Sequence, residues 1–204
     1  MPRQNFRGSK RRKRKMKLLS FNKTGKTHIT LRTDTGRFTV TEELFDRLML
    51  TVGGEISEEC EEEILAEDTA WRAMKKALSL LSFGDNSCRE LYAKLCRAKF
   101  PREIATECVR ECVLLGYIDE RRQLLRLIER EANSSLRGRE YIIRKLAARG
   151  YRTSDIISVL DELVELGEVD FDKNFDTLAA RFAVYDDEGR EALRHKYGYG
   201  GGGI

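Results

Sequence analysis

A repeat of 51 residues restricts the possible folds of this chain more than any other feature of its sequence. The tripeptide Gly-Arg-Glu occurs at 138–140 and again at 189–191. When residues 87–119 are placed over 138–170 without gaps, apolar residues fall on apolar residues and glycines on glycines. A chance match of three letters would not extend in this way, so we interpret the spacing as a structural repeat. The matched pairs include Leu91 and Ile142, Leu95 and Leu146, Cys112 and Leu163, and Gly116 and Gly167.

Each copy contains three segments whose apolar residues are spaced three and four apart, which is typical of buried helix faces. In the first copy, one segment covers 70–81, and the next begins at a capping box of Ser87 and Glu90. The third extends from Pro101 to Gly116, which suit a helix start and a helix stop. Such short helices cannot bury enough surface alone, so neighbouring copies should stack.

Charge and strand signals divide the chain further. Residues 1–26 hold eleven Lys and Arg and no acid, whereas 27–68 hold three Arg and twelve acids. Short runs of β-branched and aromatic residues around glycine turns predict antiparallel strands at 18–21, 28–32 and 37–40, with helices after Thr41 and Ser57. The predicted segments are a basic disordered arm at 1–26 that could include the first strand, an acidic β meander with helices at 27–68, three-helix repeats at 69–119 and 120–170, and an incomplete third repeat with a glycine-rich tail at 171–204.

The fold class that follows is mainly α, with tandem three-helix repeats, the third truncated, preceded by a small antiparallel β meander. No apolar run reaches the ~20 residues of a membrane helix, and no secretory signal precedes the repeats. We therefore expect a soluble, cytoplasmic monomer.

The sequence contains few candidate catalytic, cofactor-binding or metal-binding residues. The five cysteines form no Cys-x-x-Cys pair, so we expect small core residues in a reducing compartment rather than a metal site. Neither His28 nor His195 lies in a recognisable nucleophile motif, and no phosphate-binding loop occurs. We expect no enzyme activity, no cofactor and no metal.

The repeat carries an ordered set of small motifs. They are Ser87 with Glu90, Leu91, Leu95 and Phe100, then Ala105, Val109 and Gly116–Asp119, then Gly138, Ile142, Leu146, Gly150, Tyr151 and Ile156. In this order, over residues 28–197, they resemble the RecX family of recombinase regulators, and 50–57 resembles an N-terminal extension that some members carry. The resemblance implies tandem three-helix units that bind the RecA recombinase, especially its filament on single-stranded DNA, and restrain its activity without a cofactor.

Three positions depart from the family pattern. Many members carry arginines where this chain has Phe-Gly-Asp-Asn at 83–86, and an aromatic where it has Gln123. The third repeat lacks its last helix. The first and third departures put in doubt any contact that those arginines or that helix make.

Basic residues are the candidate contacts with RecA or DNA. Arginines at 122, 126 and 130 recur every four residues and would share one helix side. Glutamates interspersed among them also allow a merely solvated face. The candidates are Arg122, Arg126, Arg130, Arg137, Arg139, Arg144, Lys145 and Arg149, which we call the basic strip, and Arg11, Arg12, Lys13, Arg14 and Lys15 in the arm.

The sequence is also compatible with two other functions. Trihelical units can contain a helix-turn-helix that reads duplex DNA, although the acidic third helices disfavour it. An RNA-binding helical scaffold is the other alternative. Phe100 and Tyr151 could stack on bases, but their matched positions favour packing between helices. The leading hypothesis is a modulator, most simply an inhibitor, that occupies the groove of the RecA filament.

Overall fold

The N-terminal strands form an antiparallel meander, as predicted. In the computed structural model, which describes residues 15–200, strand order is β1-β2-β3. The side chains of Met16 and Leu18 are buried in the core of this unit. The segment at 18–21, which the basic arm could include as a first strand, lies in β1, and burial of these two side chains holds it against the core. The strands are β1 (Leu18–Thr24), β2 (His28–Thr33) and β3 (Arg37–Thr41).

Helix α1 (Glu42–Arg47) and the first part of the long α2 (Glu58–Ser82) complete the N-terminal unit. The hydroxyl oxygen of Thr41 accepts a hydrogen bond from the Leu44 amide at 3.2 Å, which caps α1. Carboxylates of α2 satisfy the outer amides of β3: Asp68 accepts from Thr39 at 2.8 Å, and Glu67 accepts from Thr41 at 2.6 Å. The free edge of β3 is thus occupied by helix side chains.

The described chain divides into two compact units, the first ending at Arg72 and the second beginning at Ala73. Helix α2 is uninterrupted, so the helix predicted after Ser57 and the first helix of repeat 1 are one element. The segment boundary placed at 68/69 lies inside it. Residues 58–82 contain neither Pro nor Gly, so no residue in this stretch favours a break.

The second unit confirms the tandem repeat. Helices α3 and α6 begin and end 51 residues apart, and so do α4 and α7. Leu95 and Leu146 are 0% and 1% exposed in their respective cores. Gly116 and Gly167 both have positive φ, at 74° and 73°, after the third helix of each copy. The elements are α3 (Cys88–Arg97), α4 (Arg102–Leu114), α5 (Glu120–Glu129) with a π-helical turn (Arg130–Ser134), α6 (Arg139–Ala148), α7 (Thr153–Glu165), α8 (Phe171–Arg181) and α9 (Asp187–Tyr197).

Helix caps recur with the same period. The Asp119 carboxylate accepts from the Arg122 amide at 2.9 Å, and Asp170 accepts from Lys173 at 3.0 Å. The predicted capping box of Ser87 forms in one direction, because the serine accepts from the Glu90 amide at 3.1 Å. The Glu90 carboxylate turns instead towards two basic side chains, described below.

The third repeat is closed by its own C-terminal segment. No third helix follows α9 within residues 15–200. The main-chain oxygens of Tyr197 and Gly198 accept hydrogen bonds from the amides of Gly138 and Glu140, at 2.9 and 3.0 Å. These carbonyls satisfy the N-terminus of α6, where Gly138 provides no side-chain cap.

Aromatic contacts cover the core of this third repeat. The ring of Tyr199 packs edge-on against Phe175, with centroids 5.1 Å apart. The guanidinium carbon of Arg194 lies 4.0 Å from the centre of the same Phe175 ring. Arg194 is the counterpart of Ile143 in repeat 2, so an amphipathic cation covers the ring where the preceding repeat has an aliphatic residue.

Candidate docking surfaces

A polar seam joins repeats 1 and 2 within the second unit. The Arg149 guanidinium donates to the main-chain oxygen of Asp85 at 2.7 Å, and the Ser87 hydroxyl donates to the main-chain oxygen of Arg149 at 2.7 Å. Arg126 donates to both carboxylate oxygens of Asp85, at 3.0 and 3.1 Å. Asp85 lies in the stretch that departs from the family pattern, and here it supplies an acceptor to two arginines of the next repeat.

Glu90 completes this seam. Its carboxylate lies 2.9 Å from the Lys94 ammonium and 3.6 Å from the Arg149 guanidinium. Gly150, with φ of 97°, lies where an added Cβ would be 2.9 Å from the Ser87 hydroxyl. The two repeats therefore approach so closely that only a glycine fits at this position.

A cleft opens beside the seam, between α3 and the end of α6, with a volume of about 450 Å³. A second depression continues from it and shares Arg89, Ala147 and Gly150. We call the two together the seam cleft. The first part is lined by Arg89, Glu90, Ala93, Arg97, Ala147, Ala148, Arg149 and Gly150, and the second adds Cys88, Glu120, Tyr151, Arg152, Thr153 and Asp155.

Most of the predicted basic strip has partners within the chain. Besides Arg126 and Arg149, Arg139 pairs with Asp161 at 2.7 Å. The guanidinium of Arg137 lies 4.5 Å from the ring centre of Tyr141 and 4.7 Å from that of Tyr197. These cations hold helices together, which leaves them less free to bind an external anion.

The buried Glu131 engages two further strip residues. Its carboxylate is 2.7 Å from the Lys145 ammonium and 3.5 Å from the Arg130 guanidinium. Glu131 lies in the π-helical turn, which carries its side chain into the interior. The charge pattern alone did not indicate this arrangement.

Two exposed strip residues have no acidic partner within residues 15–200. The side chains of Arg122 and Arg144 form no ion pair with any residue of the described part. In the arm, Lys15 lies 3.5 Å from the carboxylate of Glu55. The candidates Arg11, Arg12, Lys13 and Arg14 lie outside the described residues.

Apolar side chains are exposed where the third helices of repeats 1 and 2 end. Leu115 and Leu166 occupy equivalent positions and are 58% and 68% exposed. Val113 and Val164, also equivalent, are 44% and 41% exposed. We call these two patches the apolar edges. The same pair of side chains is thus presented twice, 51 residues apart.

The interior thiols and the matched aromatic residue are structural. Cys108 and Cys112 are buried, and burial raises the pKa of Cys108 to about 12. Burial, followed by the nearby Glu120 carboxylate, raises the pKa of Cys88 to about 11. A thiol held protonated is a poor nucleophile.

Tyr151 is also buried, as the packing interpretation predicts, and its hydroxyl donates to Gln123 at 2.8 Å.

The described residues contain neither a cluster suited to a metal ion nor a helix suited to a membrane. No group of three or more His, Cys, Asp or Glu side chains is placed to hold a metal ion between residues 15 and 200. Over the same residues, no helix has the length and apolarity needed to cross a bilayer.

Comparison with known proteins gives a likeness in structure alone. No family model matches the sequence, and no curated protein matches it. Among solved structures, the crystal structure of a regulatory protein RecX aligns over 87% of this chain and 89% of its own, with a TM-score of 0.64 and 19% identity. The chain has the RecX fold. RecX from Lactobacillus salivarius aligns over 64% of this chain and 86% of its own, with a TM-score of 0.54 and 16% identity.

The RecX resemblance predicted from the sequence is thus confirmed at the level of fold. The RecX fold brings together residues that the sequence analysis did not select, above all Arg89, Arg97 and Arg152 of the seam cleft. A signal for two of them exists, because Arg89, Ala93 and Arg97 are spaced by four and share one face of α3. The cleft itself has no local signal, since its second wall comes from residues at least 50 positions later.

Proposed function

We propose that this chain is a RecX-family regulator that binds the RecA filament on single-stranded DNA and restrains strand exchange and ATP turnover, without catalysing a reaction itself. It would act in the cytoplasm, in recombination and DNA repair. The RecX fold supports this proposal, together with the ordered motifs that resemble the family.

The observation that carries the proposal is the recurrence of the apolar edges. Exposed apolar side chains that recur at equivalent positions of a repeat suit a partner that also repeats, such as a polymer of identical subunits. Leu115 and Leu166 would each contact one subunit. Two weak contacts on one chain raise the apparent affinity for the polymer well above that for a single subunit.

The outer faces of the third helices also favour a protein partner over nucleic acid. Helix α4 exposes Glu103, Glu107 and Glu111, and α7 exposes Glu165, all outside the lining of the seam cleft. These acids would repel a phosphate backbone. These acids also disfavour the helix-turn-helix alternative, because the third helix would have to enter a groove lined by phosphates.

The direct test is RecA-dependent strand exchange and ATP turnover at stoichiometric and substoichiometric concentrations of this protein. We expect inhibition of both, and tighter retention on RecA filaments than on free RecA in a pull-down. A full-length variant with Arg11, Arg12, Lys13 and Arg14 changed to Gln measures how much the arm contributes to inhibition and retention. This variant leaves β1 intact. Retention of ribosomal RNA with no effect on RecA would contradict the proposal and favour the RNA scaffold.

A further inference from the structure

We propose that the seam cleft binds the phosphate backbone of a single nucleic-acid strand, in a manner independent of base sequence. The choice of a single strand rests on the proposed function, because the RecA filament would supply it. The contact residues would be Arg89, Arg97 and Arg152 rather than the basic strip.

The first reason is the placement of unpaired cations along the cleft. Arg89 and Arg97 lie eight residues apart on one face of α3, about 12 Å at the rise of an α-helix. Arg152 lines the continuation of the cleft. None of the three guanidinium groups has an acidic partner among the described residues; Arg97 donates only to the main-chain oxygen of Ala93, at 3.3 Å. The positive charge therefore remains available along a track.

The acids that line the cleft are already engaged. Glu90 lies between the Lys94 ammonium and the Arg149 guanidinium. Glu120 accepts a hydrogen bond from the Cys88 amide at 2.7 Å. Asp155 accepts from the Ser154 hydroxyl at 2.9 Å. The ion pairs of Glu90, which is the only acid in the lining of the first part of the cleft, offset its charge, so Arg89 and Arg97 dominate that part.

The shape of the cleft favours a strand over an acidic peptide. The residues between the arginines are Ala93, Ala147, Ala148 and Gly150, which form no pocket for a peptide side chain. The one aromatic residue in the lining, Tyr151, is 3% exposed and offers no ring face for stacking on a base. Arginine forks match phosphate oxygens with two hydrogen bonds each. A backbone contact without base readout follows.

The equivalent position at the next seam has the opposite chemistry. There Glu140 replaces Arg89 and Ala148 replaces Arg97, at a distance of 51 residues. The main chain of Gly198 also lies across the start of α6, where its oxygen accepts from the Glu140 amide. Within the described residues, the basic cleft therefore belongs to the first seam alone.

The test compares two full-length variants of equal net charge. Arg89→Gln/Arg97→Gln removes two cleft cations, and Arg122→Gln/Arg181→Gln removes two exposed cations elsewhere in the same unit. None of the four side chains has an acidic partner in the described chain, so both variants should fold, which circular dichroism would check. Binding of a fluorescein-labelled oligo-dT is measured by anisotropy over a range of salt concentrations.

We expect the cleft variant to bind the oligonucleotide about tenfold more weakly, with a salt slope smaller by about 1.4, since each phosphate contact on a single strand contributes about 0.7. The control variant should stay within about twofold of the wild type. If both variants bind the oligonucleotide equally weakly, net charge alone explains the loss of affinity, and the proposal is overturned. Poly-glutamate should compete more weakly than unlabelled oligo-dT at equal concentration of charge. If it displaces the labelled oligo-dT at a lower concentration of charge than unlabelled oligo-dT does, the proposal is overturned in favour of an acidic protein partner.

The two proposals fail separately. If only the cleft variant has a lower affinity for oligo-dT and the wild type has no effect on RecA strand exchange, the cleft proposal is supported and the proposed RecA function is wrong. If the wild type inhibits RecA while both variants bind oligo-dT equally, the RecA function stands and the cleft fails.

Discussion

The guanidinium group of Arg149 donates a hydrogen bond to the main-chain oxygen of Asp85 at 2.7 Å, although the two residues are 64 positions apart in sequence. The main-chain oxygen of Arg149 in turn accepts from Ser87, and its side chain lies 3.6 Å from Glu90. One residue at the end of α6 therefore contacts both the turn before α3 and its first turn. This contact makes the second unit more than a row of independent bundles.

Replacement of Arg149 by Met should destabilise the protein by about 1–3 kcal/mol, because it removes the bond to Asp85 and leaves a buried carboxylate oxygen of Glu90 without its neighbouring cation. Urea unfolding would measure the loss. The matched control is Arg144→Met on the same helix, which should change the free energy of unfolding by less than about 0.5 kcal/mol. Similar values for the two variants would contradict a stabilising role of the seam.

Gly138→Ala should release the C-terminal segment from α6. The backbone of Gly138 has an ordinary φ of −77°, but an added Cβ would lie 2.2 Å from the main-chain oxygen of Gly198. We expect a cost of about 1–3 kcal/mol from this overpacking, with faster hydrogen exchange at the Glu140 amide. Gly116→Ala is the control, because its Cβ meets nothing within 4 Å and only its φ of 74° is strained. Unchanged hydrogen exchange at the Glu140 amide in Gly138→Ala would contradict the release of the C-terminal segment.

Alkaline pH should reveal the buried Tyr151. Burial raises its pKa to about 12, above the unfolded value of about 10. Its stabilising contribution is complete below pH 10 and is lost as the pH rises towards 12, because unfolding then frees the phenol to ionise. Tyr151→Phe should cost about 1 kcal/mol at pH 8, from the lost bond to Gln123. This deficit should shrink between pH 10 and 12. A constant deficit across that range would argue against the raised pKa.

The apolar edges should matter for RecA and not for folding. The double variant Leu115→Asp/Leu166→Asp should raise the concentration needed to inhibit strand exchange about tenfold or more, because both contacts with successive subunits are lost. Each single variant should show a smaller effect. Met49→Asp, an exposed apolar residue outside the edges, is the control. Inhibition equal to that of the wild type would remove the edges from the interface.

The repeat predicted the helices of the second unit well because buried apolar positions and glycine stops are local signals. Gly116 and Gly167 adopt nearly the same φ because each follows the end of a third helix. The partners of the arginines had no such signal. Arg126 and Arg122 look alike in the charge pattern, yet only Arg126 meets Asp85, since that contact depends on how one repeat stacks on another. The sequence pattern does not predict the length of α2 either, because the repeat boundary at 68/69 is not the boundary of an element.

The carboxylates of Glu67 and Asp68 have a consequence beyond the N-terminal unit itself. Exposed strand edges are the usual sites at which a second chain adds a strand, whether as a specific partner or in aggregation. Here the outward amides of Thr39 and Thr41 are already hydrogen-bonded to side chains of α2. A foreign strand could pair with β3 only by displacing both acids, so main-chain pairing at this edge is closed to partners and aggregates alike.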